Sequence, residues 1–446
     1  MVINMKKYEY IYQKYREDIL HGFLKNKQQL PSIRESCQIF KASQTTVEHA
    51  YNQLMVEGYI MSRPQIGYFV AIEKSRIKLH KQLDEYQISH TPISYQYDFR
   101  SQTVSQDSFE MSTWKRYLKD VLDDKLSMST YGDSQGELVL REALCQYTYK
   151  VRGVLTQPDH ILIGSNYQSL LLILAGLLPK KSIIGMERHV SLQAKQVFKS
   201  YGFDVVYIQS LDEGIDIEDL KKHTIHFLYI NSASQGLKKK PISRTMRDQL
   251  LEYTALHHIT IIEDDYNGEL TYASKDRYAM QGMSRYNHVI YCGSFSRLLL
   301  PSLRISYLVF NDYFHQIYQE HKNEYGPTAS KIEQLAFSRY IVDGYLQKHL
   351  KKLKKEYKEK NSIMLKALET YLPYPAYLNE AYLCYEIKLP PLDNEQFYQL
   401  CQKEKIAISP IHNQQLSLSF ASLPVSSINQ SIETIAQIIH NCETTI

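Results

Sequence analysis

Two sets of residues in this chain of 446 have types and spacing that could do chemistry. The first is near the N-terminus, where Ser43, Gln44, Thr45 and Thr46 stand in a row and Arg34 precedes them. A carboxamide presents one donor and one acceptor to adenine. Hydroxyls suit phosphates or mixed readout, and a guanidinium reaches a phosphate or a base. The second set sits where apolar runs end. Ile261-Ile262 leads into Glu263-Asp264-Asp265-Tyr266, another run leads into Ser294-Phe295-Ser296-Arg297, and Pro301-Ser302-Leu303-Arg304 follows. Hydroxyls, backbone N–H groups and an arginine converging after a strand can hold an anion. Taken singly, such residues are more often helix caps or solvated turns.

The elements that must position the first set are legible. Tyr8, Ile11, Tyr12, Tyr15, Ile19 and Leu20 recur at helical spacing. Ser32 with Glu35 makes a capping box for a second helix ending near Phe40. Ser43 caps a third helix, which Gly58 stops. Tyr59 to Ser62 and Tyr68 to Ala71 read as two strands around the tip Arg63-Pro64-Gln65-Ile66-Gly67. This is the outline of a winged helix-turn-helix, whose third helix enters the major groove N-terminus first. Arg63 lies on the wing, and Gly67 lets the wing backbone approach the minor groove.

The second set needs a larger scaffold. Candidate strands are Ile161–Ile163, 182–185, Asp204–Ile208, Phe227–Ile230, 259–262, 289–292 and 305–310, with helical stretches between most of them. That pattern predicts an α/β domain with a mostly parallel sheet. Residues 313–371 turn helical and charged, and strands near 383–387, 406–408 and 416–420 predict a smaller α+β lobe. Domain bounds are expected at 1–72, a tether at 73–94, and 95–446.

At 43% hydrophobic and 22% charged the composition is globular, which disfavours disordered, collagen-like and membrane classes. No secretory leader is visible, and six cysteines without a CxxC pair fit a reduced, cytoplasmic protein with no zinc ribbon. The net charge of +4 is uneven: residues 1–80 hold 12 Lys and Arg against 7 Asp and Glu, which leaves −1 for the remaining 366. A basic head on a near-neutral body suggests a nucleic-acid partner for the head. The 37 tyrosines read as background composition.

Residues 8–71 resemble the GntR-type winged-helix domain. The match runs through Leu30-Pro31-Ser32, Arg34, Ser43, Thr46-Val47, Tyr51, Leu54, Glu57-Gly58-Tyr59, Gly67 and Phe69-Val70. It implies operator DNA as partner, with Arg34, Ser43, Gln44, Thr45, Thr46, Tyr51, Arg63 and Gly67 as contact residues. Many members carry arginine where this chain has Gln44. Residues 95–446 resemble a fold-type I pyridoxal-phosphate aminotransferase, through Tyr131-Gly132-Asp133, Gly136, Leu140-Arg141, Glu263 to Tyr266, Gly293 to Ser296, Pro301, Leu303-Arg304 and Tyr307. The two in this order look like the MocR family of bacterial transcription regulators. The resemblance implies that Asp264 pairs with the protonated pyridine nitrogen and that Tyr266 bonds the ring 3-hydroxyl. Ser165, Gln168, Ser294, Ser296 and Arg304 would hold the phosphate.

The pattern breaks at its centre. The family's aldimine lysine falls on Arg297, and arginine stays protonated at working pH. The ring-stacking aromatic falls on Ser191, and the arginine that grips a substrate carboxylate falls on Ser417. The expected protein is therefore a cytoplasmic, homodimeric regulator that binds double-stranded operator DNA and does no transamination. Its aminotransferase-like domain dimerises and is a candidate sensor of a small anionic effector at Arg297 and Arg304. That effector is pyridoxal phosphate without a covalent bond, or another metabolite. The alternative is an active enzyme with a vestigial head, using Lys238, Lys239 or Lys240 as the amine. A third reading is a scaffold with no small ligand.

Overall fold

The computed structural model describes residues 6–72, 95–100, 104–105, 109–188, 190–212, 214–235, 240–270 and 278–443. The chain forms two compact units, residues 1–93 and 94–446. The expected tether, 73–94, lies outside the described residues.

In the first unit, α1 (Lys7–Leu20) buries Ile11, Tyr12, Tyr15, Ile19 and Leu20 along one stripe. Helix α2 (Ile33–Phe40) starts at Ser32, whose Oγ accepts from the Glu35 N–H at 3.2 Å while the Glu35 carboxylate accepts from the Ser32 N–H at 2.7 Å. It ends on Lys41, whose left-handed φ of 47° turns the chain sharply into the next cap. Helix α3 (Gln44–Val56) is capped by Ser43 and closes at Glu57, with Gly58 at φ 76°. Strands β1 (Ile60–Arg63) and β2 (Gly67–Val70) pair antiparallel, Ile60 opposite Val70 and Arg63 opposite Gly67. Both strands differ by one residue from the sequence expectation, because the Tyr59 N–H is still bonded to the Leu54 carbonyl at the end of α3. Val47, Ala50, Tyr51, Leu54 and Tyr59 join the α1 stripe in one core.

The second unit is built on a seven-stranded sheet: β3 (Ile161–Gly164), β4 (Ile183–Glu187), β5 (Asp204–Ile208), β6 (Phe227–Asn231), β7 (Thr260–Asp264), β8 (Val289–Ser294) and β9 (Ser306–Val309). Their spatial order is β3-β9-β8-β7-β6-β4-β5. Strand β9 runs antiparallel to both neighbours, and the remaining pairs are parallel. The middle strands are buried on both faces, which explains their continuous apolar runs. Helices α4 (Leu138–Arg152), α5 (Tyr167–Leu177), α6 (Lys331–Val342), the 27-residue α7 (Tyr345–Tyr371) and α8 (Ile428–Cys442) cover the sheet and build the smaller lobe.

That lobe carries a three-stranded antiparallel sheet of β10 (Ala376–Asn379), β11 (Cys384–Lys388) and β12 (Gln415–Ser419). Strand β10 has no counterpart in the sequence reading, since Pro373 and Pro375 just before it mask its pattern. The apolar run at 406–408 forms only Ile406–Ala407, which pairs in parallel with Tyr97–Asp98 and not with the lobe sheet. Among the described residues no helix is long and apolar enough to cross a membrane.

Candidate functional site

In the first unit the N-terminus of α3 presents its polar row to solvent. Ser43, Gln44 and Thr45 are exposed and Thr46 half-buried. Ser43 Oγ lies 3.0 Å from Thr45 Oγ1 and 2.7 Å from Thr46 Oγ1. Gln44 Nε2 donates to Glu48 Oε1 at 2.8 Å, so the carboxamide is held along the helix. Arg34 is exposed in the first turn of α2, and Arg63 is exposed at the wing with its guanidinium 4.8 Å from the Phe69 ring centre.

One expected contact, Tyr51, is corrected. Tyr51 is fully buried, its hydroxyl donating to the Pro31 carbonyl at 2.7 Å and bonding Ser36 Oγ at 2.8 Å. It fixes α3 against the start of α2 and does not reach a groove. Gly67, at φ 131°, answers an internal demand: a Cβ there would sit 2.9 Å from the Gln29 amide, which itself donates to the Ile66 carbonyl.

In the second unit the site forms at the carboxyl edge of the sheet, where open α/β sheets hold ligands. Ser165 follows Gly164, Gly164 lies opposite Ser306, and Ser306 lies opposite Ser294. Register alone therefore gathers serines from three strands. Ser306 Oγ donates to Ser294 Oγ at 3.0 Å, and Ser294 Oγ lies 3.3 Å from Ser296 Oγ. Ser306 was not singled out in the sequence, because only its pairing partner reveals it. Gln168 is exposed in the first turn of α5, and Asn166 caps the helix, accepting from the Ser169 N–H at 2.9 Å. Arg304 is exposed, whereas Arg297 is buried.

Asp264 lies at the end of β7 and is 5% exposed. Tyr229 donates to its Oδ2 at 2.5 Å, and Tyr167 donates in turn to Tyr229 at 2.7 Å. Burial pushes the Asp264 carboxyl up to about 7, and the neighbouring Asp265 adds to the shift. Tyr266 packs on Tyr382, ring centres 5.4 Å apart. Arg297 donates from Nη1 to the Tyr382 carbonyl at 2.8 Å, while its buried Nε and Nη2 have no acceptor among the described residues. Ser191, Asn231, Ser234, Tyr382, Glu386 and Ser417 line a cavity of about 280 Å³ beside them. Glu386 stands directly across from Ser417, where the resemblance places arginine, and accepts from Asn379 Nδ2 at 3.1 Å and from the Gln415 amide.

Beneath the edge, Asp265 accepts two bonds from Arg152, at 2.6 and 2.8 Å, and one from the Tyr291 hydroxyl at 2.7 Å. The backbone N–H groups of Met280 and Gln281 hold Glu263 at 2.9 and 3.0 Å. Glu269 is buried without a hydrogen-bond partner among the described residues, and burial raises it to about 7. Both Asp264 and Glu269 bind their protons more tightly folded than unfolded. Their contribution to stability therefore falls as pH rises from the ordinary carboxyl value through about 7, then levels off. Asp264→Asn should flatten part of that slope in melts at pH 5, 6, 7 and 8. An unchanged slope would show that Asp264 titrates normally.

Lys238 and Lys239 lie outside the described residues, and Lys240 is exposed, its backbone paired with Gln235. Among the described residues no group of three or more His, Cys, Asp or Glu could hold a metal. Four tyrosines at the site (Tyr167, Tyr229, Tyr266, Tyr382) correct the reading of the tyrosine surplus as background.

Known proteins carry the same two parts. Residues 94–435 match the family of aminotransferases class I and II, and residues 7–70 match the bacterial regulatory proteins of the gntR family. The chain is 30% identical to YdeL, an uncharacterized HTH-type transcriptional regulator of Bacillus subtilis, over 96% of both chains. It is 26% identical to the probable rhizopine catabolism regulatory protein MocR of Rhizobium meliloti, over 81% of this chain and 77% of that one. An archaeal alanine:glyoxylate aminotransferase structure superimposes with a TM-score of 0.70 at 21% identity, covering 83% of this chain and 96% of its own, which establishes the fold. The chain belongs to the MocR-type transcriptional regulators, DNA-binding proteins in which a GntR-family head is joined to an aminotransferase-like domain.

Proposed function

We propose that this regulator binds operator DNA as a homodimer and that its aminotransferase-like domain, lacking transaminase chemistry, serves as dimerisation and effector domain. The observation that carries the loss of chemistry is Arg297. A Schiff-base amine must give up a proton, attack an aldehyde and then shuttle protons. The guanidinium does none of this, and here one of its nitrogens is committed to a backbone carbonyl. The winged-helix head supports the DNA partner through an exposed row of hydroxyls and a carboxamide at a helix N-terminus, and a homodimer would match repeated half-sites. A cytoplasmic location follows from that role.

The effector's charge is constrained by the cavity. With Glu386 across from Ser417, the cavity offers a carboxylate where a carboxylate-binding arginine would stand, which favours a ligand with an amine over a dicarboxylate. Treatment of the purified protein with pyridoxal phosphate and borohydride tests the core of the proposal. No fixed lysine adduct and no amino-acid-dependent spectral change are expected. A fixed adduct on any lysine would overturn it.

A further inference from the structure

We propose that Tyr382 is the internal occupant of the cofactor-ring site, so that this domain is filled by its own side chain and takes up no pyridoxal phosphate. The inference rests on the reading that aldimine chemistry is lost, and extends it from a missing amine to missing space.

The resemblance gives the cofactor ring three neighbours: the acid at Asp264, the phenol of Tyr266 and the side chain at position 297. Tyr266 meets the Tyr382 ring, Arg297 its carbonyl, and the charge of Asp264 acts on its hydroxyl. Its ring centre is 5.4 Å from that of Tyr266, a contact distance that leaves no room for a third ring between them. Its carbonyl accepts from Arg297 Nη1 at 2.8 Å. Its hydroxyl is held well above the usual phenol range, first by burial and then by the charge of Asp264, which places that acid close by.

Two further features fix the arrangement. Asp264 already accepts from the Tyr229 hydroxyl, at 2.5 Å on Oδ2, so a pyridinium would have to share this carboxylate. The turn that presents Tyr382 is held under strain. Leu383, fully buried, adopts φ 52°, a left-handed conformation that L residues rarely adopt. Its carbonyl is pinned by Ser419 Oγ at 3.0 Å and by the Phe420 N–H at 3.1 Å. The space left over, about 280 Å³, is at the small end of ligand sites, with room for a small amine but not for an added pyridine ring and phosphate. The hydroxyl cluster of Ser165, Ser294 and Ser296 survives, but the residues at the ring end do not fit the cofactor.

The test uses the full-length protein as wild type, Tyr382→Phe, Tyr382→Gly and Tyr382→Gly/Arg297→Lys. Each is dialysed against pyridoxal phosphate and followed by induced circular dichroism of the cofactor band, with far-ultraviolet spectra and DNA binding as controls of folding. Wild type and Tyr382→Phe, which keeps the ring, should take up none. Tyr382→Gly should bind reversibly, at least about tenfold more tightly than Tyr382→Phe. Only the double variant should yield a borohydride-fixed adduct. Reversible uptake by wild type would overturn the proposal, as would a folded Tyr382→Gly that binds no better than Tyr382→Phe. If Tyr382→Gly fails to fold, the wild-type and Tyr382→Phe arms still decide, since uptake by either refutes a filled site and none by both supports it. A fixed adduct in wild type would instead overturn the loss of chemistry.

Discussion

Arg152→Ala is expected to destabilise the second unit by about 3–5 kcal/mol, enough to drive much of the protein into the insoluble fraction. The guanidinium forms a two-pronged bond with Asp265, and both side chains are almost wholly buried. Burial alone would lower the Arg152 pKa, but the Asp265 charge overrides it and raises it. Removing the cation leaves Asp265 inside the protein, where its charge already raises the pKa of both Glu263 and Glu269. Breaking a buried pair costs far more than its net worth, because the remaining charge keeps only neutral donors such as the Tyr291 hydroxyl and no cation. The measurement is a urea midpoint on the soluble fraction. A loss below about 1 kcal/mol would mean that water reaches Asp265. Arg152→Ala/Asp265→Asn should recover part of the loss, since it removes the stranded charge as well as the pair.

Arg34→Ala and Thr46→Ala should weaken operator binding by about 1–3 kcal/mol each, and together by about thirtyfold or more. Both residues lie outside the head's core, so folding should survive. Arg34 is exposed, and the Thr46 hydroxyl supports the α3 N-terminus through its contact with Ser43 Oγ at 2.7 Å. If Arg34 meets a phosphate, its loss should also reduce the dependence of log affinity on log salt by about 0.9. Gel shifts at two salt concentrations measure this, with sedimentation as a control on the oligomer. Unchanged affinity would remove both residues from the interface.

The head was readable in detail because its signals are local. Ser32 with Glu35, Ser43 with Thr46, and Gly58 each act within four residues, and each cap forms where the sequence places it. Tyr51 misled for a related reason: a tyrosine on a DNA-reading helix looks available until its neighbours are known, and the core residues around it come from α1 and β2. In the second unit the strands were legible as apolar runs, and their ends gave Asp264, Ser294 and Arg297. What stayed hidden was everything set by pairing across the sheet. Ser306 joins the serine cluster only through its register with Ser294 and Gly164. Tyr229 and Tyr382 come to Asp264 from strands and turns distant in sequence, and no periodicity marks a phenol that points at an acid. The same holds for Arg152, which closes α4 and reads as an ordinary basic residue in a helix's last turn.

Strand β9 has a consequence for how the molecule is made. It is inserted between β3 and β8, so the serine-lined edge cannot close until the chain has been synthesised through Val309. The head's core, by contrast, is complete at Ile72 and is held by contacts close in sequence. Translation at about 5–20 residues per second puts roughly 10–50 s between the two events. During that interval a ribosome carries a DNA-reading head attached to an unfinished sheet with unpaired edges. The winged-helix core is thus complete well before the sheet it is joined to, and the open edges of β3 and β8 are the surfaces that chaperones would have to cover.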